Sequence, residues 1–475
     1  MFDMVKTVTN GGVVSVLKGK LSYKDQLLRY LIASIAVVVL TVQGVVFVLP
    51  TRASAETADV SVQNWYSYPR ITVPELKPVW TLQVDNYLDM NEPYIGKQAI
   101  AEEGKVFTFA ESKLIAIDAK TGKRQWAYGK DLTPYVIYSK GVIYGLSGDH
   151  KPYALNAKTG KVKWQSDSST WIDTRLRTES LIPTEDTLYV IKGSTTFAFD
   201  MATGKLKWKV DEPLAEGNGT AYLEESDGVV LRTFYVQGAL TSIQLNAYDK
   251  KTGEKIWSHF GQGEALRIKD GLVYSVDYYS PLLFEYQSQP DRKLSLNIFN
   301  LKTGAKKGNR EYNWKMPGDP PYEYGQMGVF MSGDKLYIDQ GDKVAQYDFD
   351  QYKTGAAPLQ TFQHPYGDDW MLLNITQEQL IFQDKVTWDL KGIKANGQEV
   401  VWSGDAPFSQ IDVYGKGMYR AQRNGTLLTI NMVTTMPVFR VRTGVDLHEK
   451  TLKTDGMLII QAEGKLLGVK VPASL

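Results

Sequence analysis

The chain of 475 residues carries 54 Lys and Arg against 53 Asp and Glu, and this near-neutral balance gives no electrostatic basis for nucleic-acid binding. Hydrophobic residues make up 43% and aromatic residues 12% of the chain, a composition that favours strands and excludes an intrinsically disordered protein. The absence of cysteine excludes disulfides, thiolate catalysis, Cys-ligated zinc, haem attachment and acylation at a cysteine.

The first 55 residues have the organisation of an export signal. Residues 1–29 are polar with several basic side chains, and residues 30–49 form a mostly apolar run that ends at Pro50. An Ala-Ser-Ala sequence at 53–55 follows, which is typical of a signal-peptidase site. The run is also long enough to span a bilayer, so we predict either cleavage after Ala55 or an uncleaved membrane anchor. Both alternatives place the rest of the chain outside the cytoplasm, secreted or anchored, because the basic flank stays inside.

A repeated pattern dominates the chain after residue 110. Each copy combines an Asp or Asn, a Thr-Gly pair three residues later, and a Trp four residues after the Gly. The four complete copies contain Gly122 and Trp126, Gly160 and Trp164, Gly204 and Trp208, and Gly253 and Trp257. Weaker copies follow at 297–304, 346–355, 387–402 and 428–434.

Each residue of this pattern has a structural explanation. The Asp or Asn side chain accepts hydrogen bonds from nearby backbone N–H groups, and the Gly supplies the left-handed conformation that a short hairpin needs. The Trp lies on the returning strand and is large enough to fill the space between neighbouring sheets. The glycines recur at intervals of 38 to 51 residues, which matches one four-stranded unit per copy. Such units must stack to bury their faces, so the pattern predicts a β-propeller.

The two ends of the repeat region predict how the ring closes. Residues 78–84 resemble the fourth (D) strand of a unit, and residues 458–461 and 465–470 resemble second (B) and third (C) strands without a D strand. We therefore expect the first strand to complete the last blade. The predicted fold is all-β, a single propeller of eight to nine four-stranded blades. It divides the chain into a signal or anchor helix at 1–55, a linker at 56–75 and the propeller at 76–475.

The Ala-x-Asp-x-x-Thr-Gly-x-x-x-Trp pattern resembles the repeat of the quinoprotein-like, or PQQ-repeat, propeller family over roughly residues 76–472. The chain is more similar to the non-enzymatic propeller scaffold of the outer-membrane β-barrel assembly machine than to the quinone-dependent dehydrogenases. The enzyme branch implies pyrroloquinoline quinone, calcium, a catalytic Asp and often a vicinal Cys pair. This chain lacks cysteine, and turn formation explains Asp118, Asp200 and Asp249. We predict no cofactor and no catalytic residue.

Other chemistry-bearing residues form no recognisable site. The four histidines follow no metal-binding spacing; they are His150, His259, His364 and His448. The pair Asp368-Asp369 allows either a calcium site or a solvated loop, and no ladder of calcium ligands surrounds it. We predict no metal.

One face of the propeller is predicted to carry the recognition surface. The connections between strands A and B and between C and D share one face, and the Thr-Gly turns keep that face uniform. The B–C and D–A connections share the opposite face, called here the loop face, and blades 5 to 7 elaborate it at 278–292, 310–315, 318–324 and 364–370. The candidate binding residues on it are Tyr278, Tyr279, Tyr286, Trp314, Tyr322, Tyr324, Tyr366, Asp368, Asp369 and Trp370.

Two interpretations of the loop face remain open at this stage. These aromatic residues either bind a partner or pack over the central channel. We expect a monomeric binding or scaffold propeller at the cell envelope, with an envelope protein, a peptide or a glycan as its partner. The alternatives are a quinone-dependent oxidoreductase and a sugar-active enzyme.

Overall fold

The computed structural model describes residues 6–9, 12–15, 71–85, 99–172, 179–213, 219–237, 241–278, 289–318, 328–363, 370–376, 379–384, 386–394, 396–472 and 475. Contacts divide the chain into two units, Met1–Ser67 and Tyr68–Leu475. In the first unit, β1 (Lys6–Thr9) and β2 (Gly12–Ser15) pair as an antiparallel hairpin. No helix among the residues just given is long and apolar enough to cross a membrane, and the apolar run at 30–49 lies outside them.

The second unit is a propeller of nine four-stranded antiparallel sheets, the higher of the two predicted counts. The first three blades are β4 (Ile100–Glu102), β5 (Lys105–Ala110), β6 (Lys113–Asp118) and β7 (Arg124–Tyr128); β8 (Val136–Ser139), β9 (Val142–Leu146), β10 (Pro152–Asn156) and β11 (Val162–Gln165); and β12 (Glu179–Pro183), β13 (Thr187–Lys192), β14 (Thr195–Asp200) and β15 (Leu206–Asp211).

The middle blades contain the longest strands. They are β16 (Gly219–Ser226), β17 (Val229–Gln237), β18 (Thr241–Asp249) and β19 (Lys255–Phe260); β20 (Gln262–Lys269), β21 (Leu272–Asp277), β22 (Asp291–Asn300) and β23 (Lys306–Lys315); and β24 (Val329–Ser332), β25 (Lys335–Asp339), β26 (Lys343–Asp348) and β27 (Gln360–Gln363).

The last blades close the ring. They are β28 (Trp370–Thr376), β29 (Gln379–Asp384), β30 (Leu390–Lys394) and β31 (Glu399–Val401); β32 (Phe408–Tyr414), β33 (Gly417–Gln422), β34 (Thr426–Asn431) and β35 (Pro437–Arg442); and β36 (Leu452–Thr454), β37 (Met457–Ala462) and β38 (Lys465–Lys470), completed by β3 (Trp80–Gln83).

The predicted closure of the ring is confirmed. Strand β3 pairs antiparallel with β38, with Trp80 opposite Gly468 and Gln83 opposite Lys465. The ninth blade therefore takes its D strand from the start of the propeller and its other strands from the end. This pairing gives the ninth blade four strands like the other eight, and it joins the two ends of the repeat region within one sheet.

The hydrophobic core lies at the junctions between consecutive blades. At the first junction, Phe107 and Leu114 of blade 1 pack in one cluster with Ile143 and Tyr153 of blade 2. Other clusters likewise combine residues of two neighbouring blades. Each blade thus buries its faces only by stacking, as expected for a repeat protein.

The repeated tryptophans connect the blades through hydrogen bonds as well as packing. The indole N–H of each donates to a backbone carbonyl in the C–D turn of the next blade, and the pairs are Trp80–Ala119, Trp126–Ala157, Trp164–Met201, Trp208–Lys250, Trp257–Leu301 and Trp402–Met432, at 2.8 to 3.3 Å. At five of these junctions the ring also covers the Gly of that turn, and in blade 8 the position is Thr435. A Cβ on Gly204 would lie 2.4 Å from Trp164 Cε3, so no other residue fits there without movement.

Two local predictions are wrong. Residues 310–315 belong to β23 and not to the D–A connection, because the strand continues for ten residues opposite β22. The weak copy of the repeat predicted at 387–402 starts too early, because Thr387, Trp388 and Asp389 form the B–C turn and the C strand of blade 7 begins at Leu390.

Candidate functional site

The structure describes three of the aromatic and acidic residues predicted for the loop face. Tyr278 is exposed directly after β21, and Trp370 begins β28 half-buried, with Lys391 Nζ 4.7 Å from its ring centroid. Trp314 is buried in the core between blades 5 and 6 and does not reach the surface. The others lie outside the described residues: Tyr279, Tyr286, Tyr322, Tyr324, Tyr366, Asp368 and Asp369.

A cavity of about 580 Å³ opens on the same face between blades 7 and 8. Its walls come from the B–C turn of blade 7, the first residues of β32 in blade 8 and the end of β33. The side chains used below are Trp388, Asp389, Phe408, Ser409, Arg420 and Arg423. The volume lies within the range of small-molecule and cofactor sites. We call this feature the blade 7–8 cavity.

Trp388 occupies a glycine position in the turn that forms one wall. Asp384 Oδ1 accepts hydrogen bonds from the N–H groups of Val386 and Thr387 at 2.8 and 2.7 Å, and the N–H of Trp388 donates to the Asp384 carbonyl at 2.9 Å. The Thr-Gly turn that ends at Gly122 has the same pattern of hydrogen bonds. The φ of Trp388 is 65°, close to the 68° of Gly122.

This placement strains the backbone at Trp388. A left-handed conformation costs a residue with a side chain about 1–2 kcal/mol relative to glycine. The Trp388 side chain nevertheless remains 58% exposed, so burial does not offset the strain. Strained backbone positions cluster at functional sites, where the placement of a side chain matters more than its effect on stability. The positive φ of Trp388 therefore marks this turn as a candidate binding site.

Arg420 forms the floor of the cavity. Its side chain is only 3% exposed, its Nη1 donates to Asp389 Oδ1 at 2.8 Å, and its Cζ lies 4.7 Å from the centroid of the Phe408 ring. The Nε has no hydrogen-bond acceptor among the described residues. Burial of a cation is costly unless its donors are satisfied, so one carboxylate leaves this guanidinium only partly compensated.

Arg232 provides an internal comparison for Arg420. Each is the fourth residue of its B strand, in blades 4 and 8, and the Nε of each lacks an acceptor among the described residues. The terminal nitrogens differ. Those of Arg232 donate to oxygens of Thr196, Gly193 and Thr220. Within the described part of the chain, the guanidinium of Arg420 donates to Asp389 alone. Arg232 is therefore explained by the fold alone, and Arg420 is not.

A second depression of about 260 Å³ adjoins the first, and Asp389 and Arg420 line both. Trp370, Trp402 and Lys391 add to its walls. Among the described residues, the charged side chains that line the two depressions are Arg420, Arg423 and Lys391 against Asp389. This described lining is positive although the whole chain is close to neutral.

Ser409 and His448 form the arrangement closest to a catalytic pair. Ser409 Oγ lies 2.9 Å from His448 Nδ1, but Thr443 Oγ1 lies 2.8 Å from the other ring nitrogen, where a nucleophile–base–acid triad has a carboxylate. Burial lowers the pKa of His448 to about 4, against the weaker opposing effect of Asp446. We interpret the three residues as a structural link between blade 8 and the connection into blade 9.

The cavity does not fit a calcium–quinone pair. Among the described residues that line it, Asp389 is the one carboxylate and already accepts a hydrogen bond from Arg420, whereas calcium requires six to eight oxygen ligands. Across the residues given above, no group of three or more His, Asp or Glu side chains is close enough to hold a metal. His150, His259 and His448 lie in separate parts of the ring, and His364 lies outside the described residues.

The profile of one protein family matches more than half of the chain, over residues 74–241 and 110–342, and its description is "Outer membrane protein assembly factor BamB". The chain belongs to this family of PQQ-repeat propellers. The repeat that defines the fold above thus also defines the family. The matched residues span blades 1 to 5 and the first two strands of blade 6, and they end before the residues that form the blade 7–8 cavity.

Individual relatives match over shorter regions. A quinoprotein ethanol dehydrogenase of Pseudomonas aeruginosa is 29% identical over 230 residues, 44% of this chain and 30% of that protein. The quinoprotein alcohol dehydrogenase PedH of Pseudomonas putida is 34% identical over 107 residues, 19% of this chain and 17% of that protein. The chain therefore spans less than a third of the length of these relatives.

Solved structures are similar at low sequence identity. BamB from Moraxella catarrhalis is 14% identical with a TM-score of 0.43, and the match covers 83% of this chain and 99% of that one. A europium-containing methanol dehydrogenase is 12% identical with a TM-score of 0.38, and the match covers 81% of this chain and 84% of that one.

The residues predicted for the loop face do not include those that form the blade 7–8 cavity, apart from the nearby Trp370. A signal was present, because Asp384-x-x-Thr387 starts the repeated turn and Trp388 stands where Gly is expected. The assignment of Thr387 and Trp388 to the weak repeat copy at 387–402 concealed this signal. No sequence signal marks Arg420, whose role depends on Asp389 in the neighbouring blade.

Proposed function

We propose that this protein is an extracytoplasmic binding propeller of the cell envelope that recognises its partner on the loop face. The observation that carries the proposal is the blade 7–8 cavity with Trp388 at its wall, exposed and held at a positive φ. An aromatic side chain kept in a strained position beside a concave, partly charged surface is typical of recognition. The basic and apolar N-terminal segments and the description of the family support the location.

The described residues favour binding over catalysis. Ser409 and His448 lack the carboxylate that orients a catalytic base, and Asp389 is paired with Arg420. The cavity therefore offers an aromatic surface and a buried cation without an activated nucleophile. A surface of this kind can hold a protein, a peptide or a glycan without changing it, and we expect the protein to act as a monomer.

The location can be tested with a single cysteine, because the chain has none of its own. Val162 is exposed on β11, so a Val162→Cys variant offers one reactive thiol on the propeller. A membrane-impermeant maleimide should label this variant in intact cells whose outer barrier has been permeabilised. A variant labelled only after complete lysis would place the propeller inside the cytoplasm and contradict the proposal.

The recognition face can be tested with a photo-reactive aromatic amino acid in the full-length protein. Val386 and Tyr278 are exposed on the loop face, and Lys158 and Lys302 are exposed in Thr-Gly turns on the other face. We expect adducts in cells from the first two positions and few or none from the second two. Equal labelling at all four positions, or labelling only from the Thr-Gly turns, would exclude a recognition surface on the loop face.

The second candidate function is a quinone-dependent oxidoreductase, which the similarity to quinoprotein dehydrogenases favours. We expect no cofactor to be required. Addition of pyrroloquinoline quinone with calcium should leave the quinone spectrum unchanged and should not support reduction of a dye by alcohols or glucose. Stoichiometric quinone binding with turnover would establish the oxidoreductase instead. The third alternative, a sugar-active enzyme, predicts product release from cell-wall glycans, and we expect none.

A further inference from the structure

We propose that the blade 7–8 cavity binds an acidic saccharide, with a sugar ring on Trp388 and its carboxylate at Arg420. This inference rests on the proposed function and specifies the ligand class of the same face. It follows from three properties of the cavity, namely the exposed aromatic wall, the incompletely compensated cation and the polar side chains around both.

The aromatic wall suits a flat ligand that has an apolar side. Trp388 is exposed, and the neighbouring Leu373 on β28 is also exposed at the cavity. Phe408 is unsuited to this role, because the Arg420 guanidinium already covers it. A sugar ring has a C–H face that packs against an indole, and it keeps its hydroxyls at the ring edge for polar neighbours.

The cation at the floor has donors that can bind an anionic group in addition to Asp389. The guanidinium of Arg420 is buried, donates to Asp389 alone among the described residues, and has a planar arrangement of donors that matches a carboxylate. Arg423 lies exposed in the following turn and adds a second positive charge at the rim. A bound carboxylate would satisfy Arg420 in the way that three protein oxygens satisfy the terminal nitrogens of Arg232.

The remaining polar lining matches hydroxyl groups. The polar lining side chains are Gln383, Thr387, Ser409 and Gln410. The side chains of Gln383, Ser409 and Gln410 each have one partner among the described residues and keep further hydrogen-bonding capacity for a ligand. Such a set suits a ligand with several hydroxyls better than a peptide, whose amides pair best with backbone groups. We therefore infer an acidic saccharide, and binding of a peptide carboxylate is treated as an outcome that contradicts the inference.

The ligand test compares two trisaccharides of equal size. Trigalacturonate carries carboxylates, and its methyl ester has the same rings without the charges. Calorimetric titration of the full-length protein should show binding of the acid that is at least tenfold tighter than binding of the ester. No heat with either sugar, equal affinity for both, or tighter binding of triglycine through its free carboxylate would overturn the inference.

The residue test separates binding from folding. Trp388→Gly should weaken binding of trigalacturonate at least tenfold while the melting temperature stays equal or rises, because glycine relieves the positive φ. Trp171→Ala is the matched control, since Trp171 is also 58% exposed but lies outside the cavity, and it should bind normally. Arg423 is exposed, so Arg423→Ala should leave the fold intact. It should weaken binding of trigalacturonate and reduce the dependence of that affinity on salt concentration. A Trp388→Gly variant that binds as tightly as the parent would overturn the inference.

Failure of this inference is distinguishable from failure of the proposed function. If Val386 and Tyr278 still cross-link to a partner in cells while trigalacturonate does not bind, the recognition face stands and the ligand class is wrong. If cross-linking from those positions fails, the proposed function itself is wrong.

Discussion

Arg310 donates a hydrogen bond from Nη1 to the carbonyl oxygen of Phe349, the backbone position that accepts a tryptophan indole at six other blade junctions. Gly308 stands in the sequence where that tryptophan is expected. The Arg310 Cζ lies 4.4, 4.7 and 5.1 Å from the ring centroids of Phe349, Tyr274 and Tyr352. A planar cation thus replaces an indole between blades 5 and 6, with the same combination of flat packing and N–H donation.

Arg310→Lys should lower the free energy of unfolding by about 1–2 kcal/mol. A guanidinium can pack against the rings with its flat face while its N–H groups donate in its own plane, and an ammonium cannot do both. Thermal or urea-induced unfolding measures the effect. Arg442→Lys is the control: Arg442 is exposed and pairs with Glu75 on the surface, so no measurable change is expected. Equal effects of the two substitutions would show that the Arg310 junction contributes no specific stability.

Gly204→Ala should destabilise the propeller more than Gly271→Ala. Both glycines have positive φ, 73° and 71°, so each substitution should cost about 1 kcal/mol from backbone conformation. A Cβ at Gly204 would also collide with the Trp164 ring, whereas nothing lies within 4 Å of one at Gly271. We expect a further 1–3 kcal/mol, roughly, at Gly204 from this overpacking.

A double-mutant cycle identifies the source of that difference. In a Trp164→Ala background the excess cost of Gly204→Ala should disappear, because the ring that blocks the Cβ is gone. Urea-induced unfolding of the four proteins provides the comparison. An excess that persists without the ring would mean that the turn itself, and not the packing of Trp164, restricts this position.

His448 should make stability depend on acidity below neutral pH. Burial lowers its pKa from 6.5 in the unfolded chain to about 4 in the folded protein, so between these values the unfolded state binds the proton more readily. The contribution of neutral His448 to the free energy of unfolding is fully present above pH 6.5. About 3 kcal/mol of it is lost as the pH falls from 6.5 through 4.

The comparison of the parent with His448→Gln isolates this effect from other titrating groups. The free energy of unfolding should fall more steeply between pH 6.5 and 4 in the parent than in the variant. Identical slopes for the two proteins would show that protonation of His448 does not oppose folding.

Trp80→Ala should loosen the ring where its two ends meet. Trp80 covers Gly468 and Gly122, and its N–H donates to the Ala119 carbonyl at 2.8 Å. We expect a loss of about 3 kcal/mol, with faster amide hydrogen exchange in β36, β37, β38 and β4 than elsewhere. Trp171→Ala, which removes an exposed indole, should leave the exchange pattern unchanged. A uniform increase over all nine blades would contradict a local role for Trp80 in closure.

Most of the fold was predictable because its chemistry is local in sequence. The Asp or Asn, the Gly and the Trp of each copy lie within nine residues, so turn formation and blade spacing can be derived without knowledge of distant contacts. The incomplete sets of strands at 78–84 and 458–470 were enough to predict closure of the ring, because together they make up one four-stranded sheet. The two errors, at 310–315 and near 387, lie where the pattern loses its Trp or exchanges its Gly.

The candidate site depends on contacts that no local pattern contains. Asp389 and Arg420 are separated by 31 residues and belong to different blades, and Phe408 is the first residue of β32 in blade 8. The sequence by itself determined the repeat, the turn chemistry and the face that carries the long connections, because short-range hydrogen bonds and strand periodicity govern them. Only the tertiary structure decided which side chains meet between blades 7 and 8, because stacking of the sheets brings a buried cation, its one carboxylate and a strained tryptophan together.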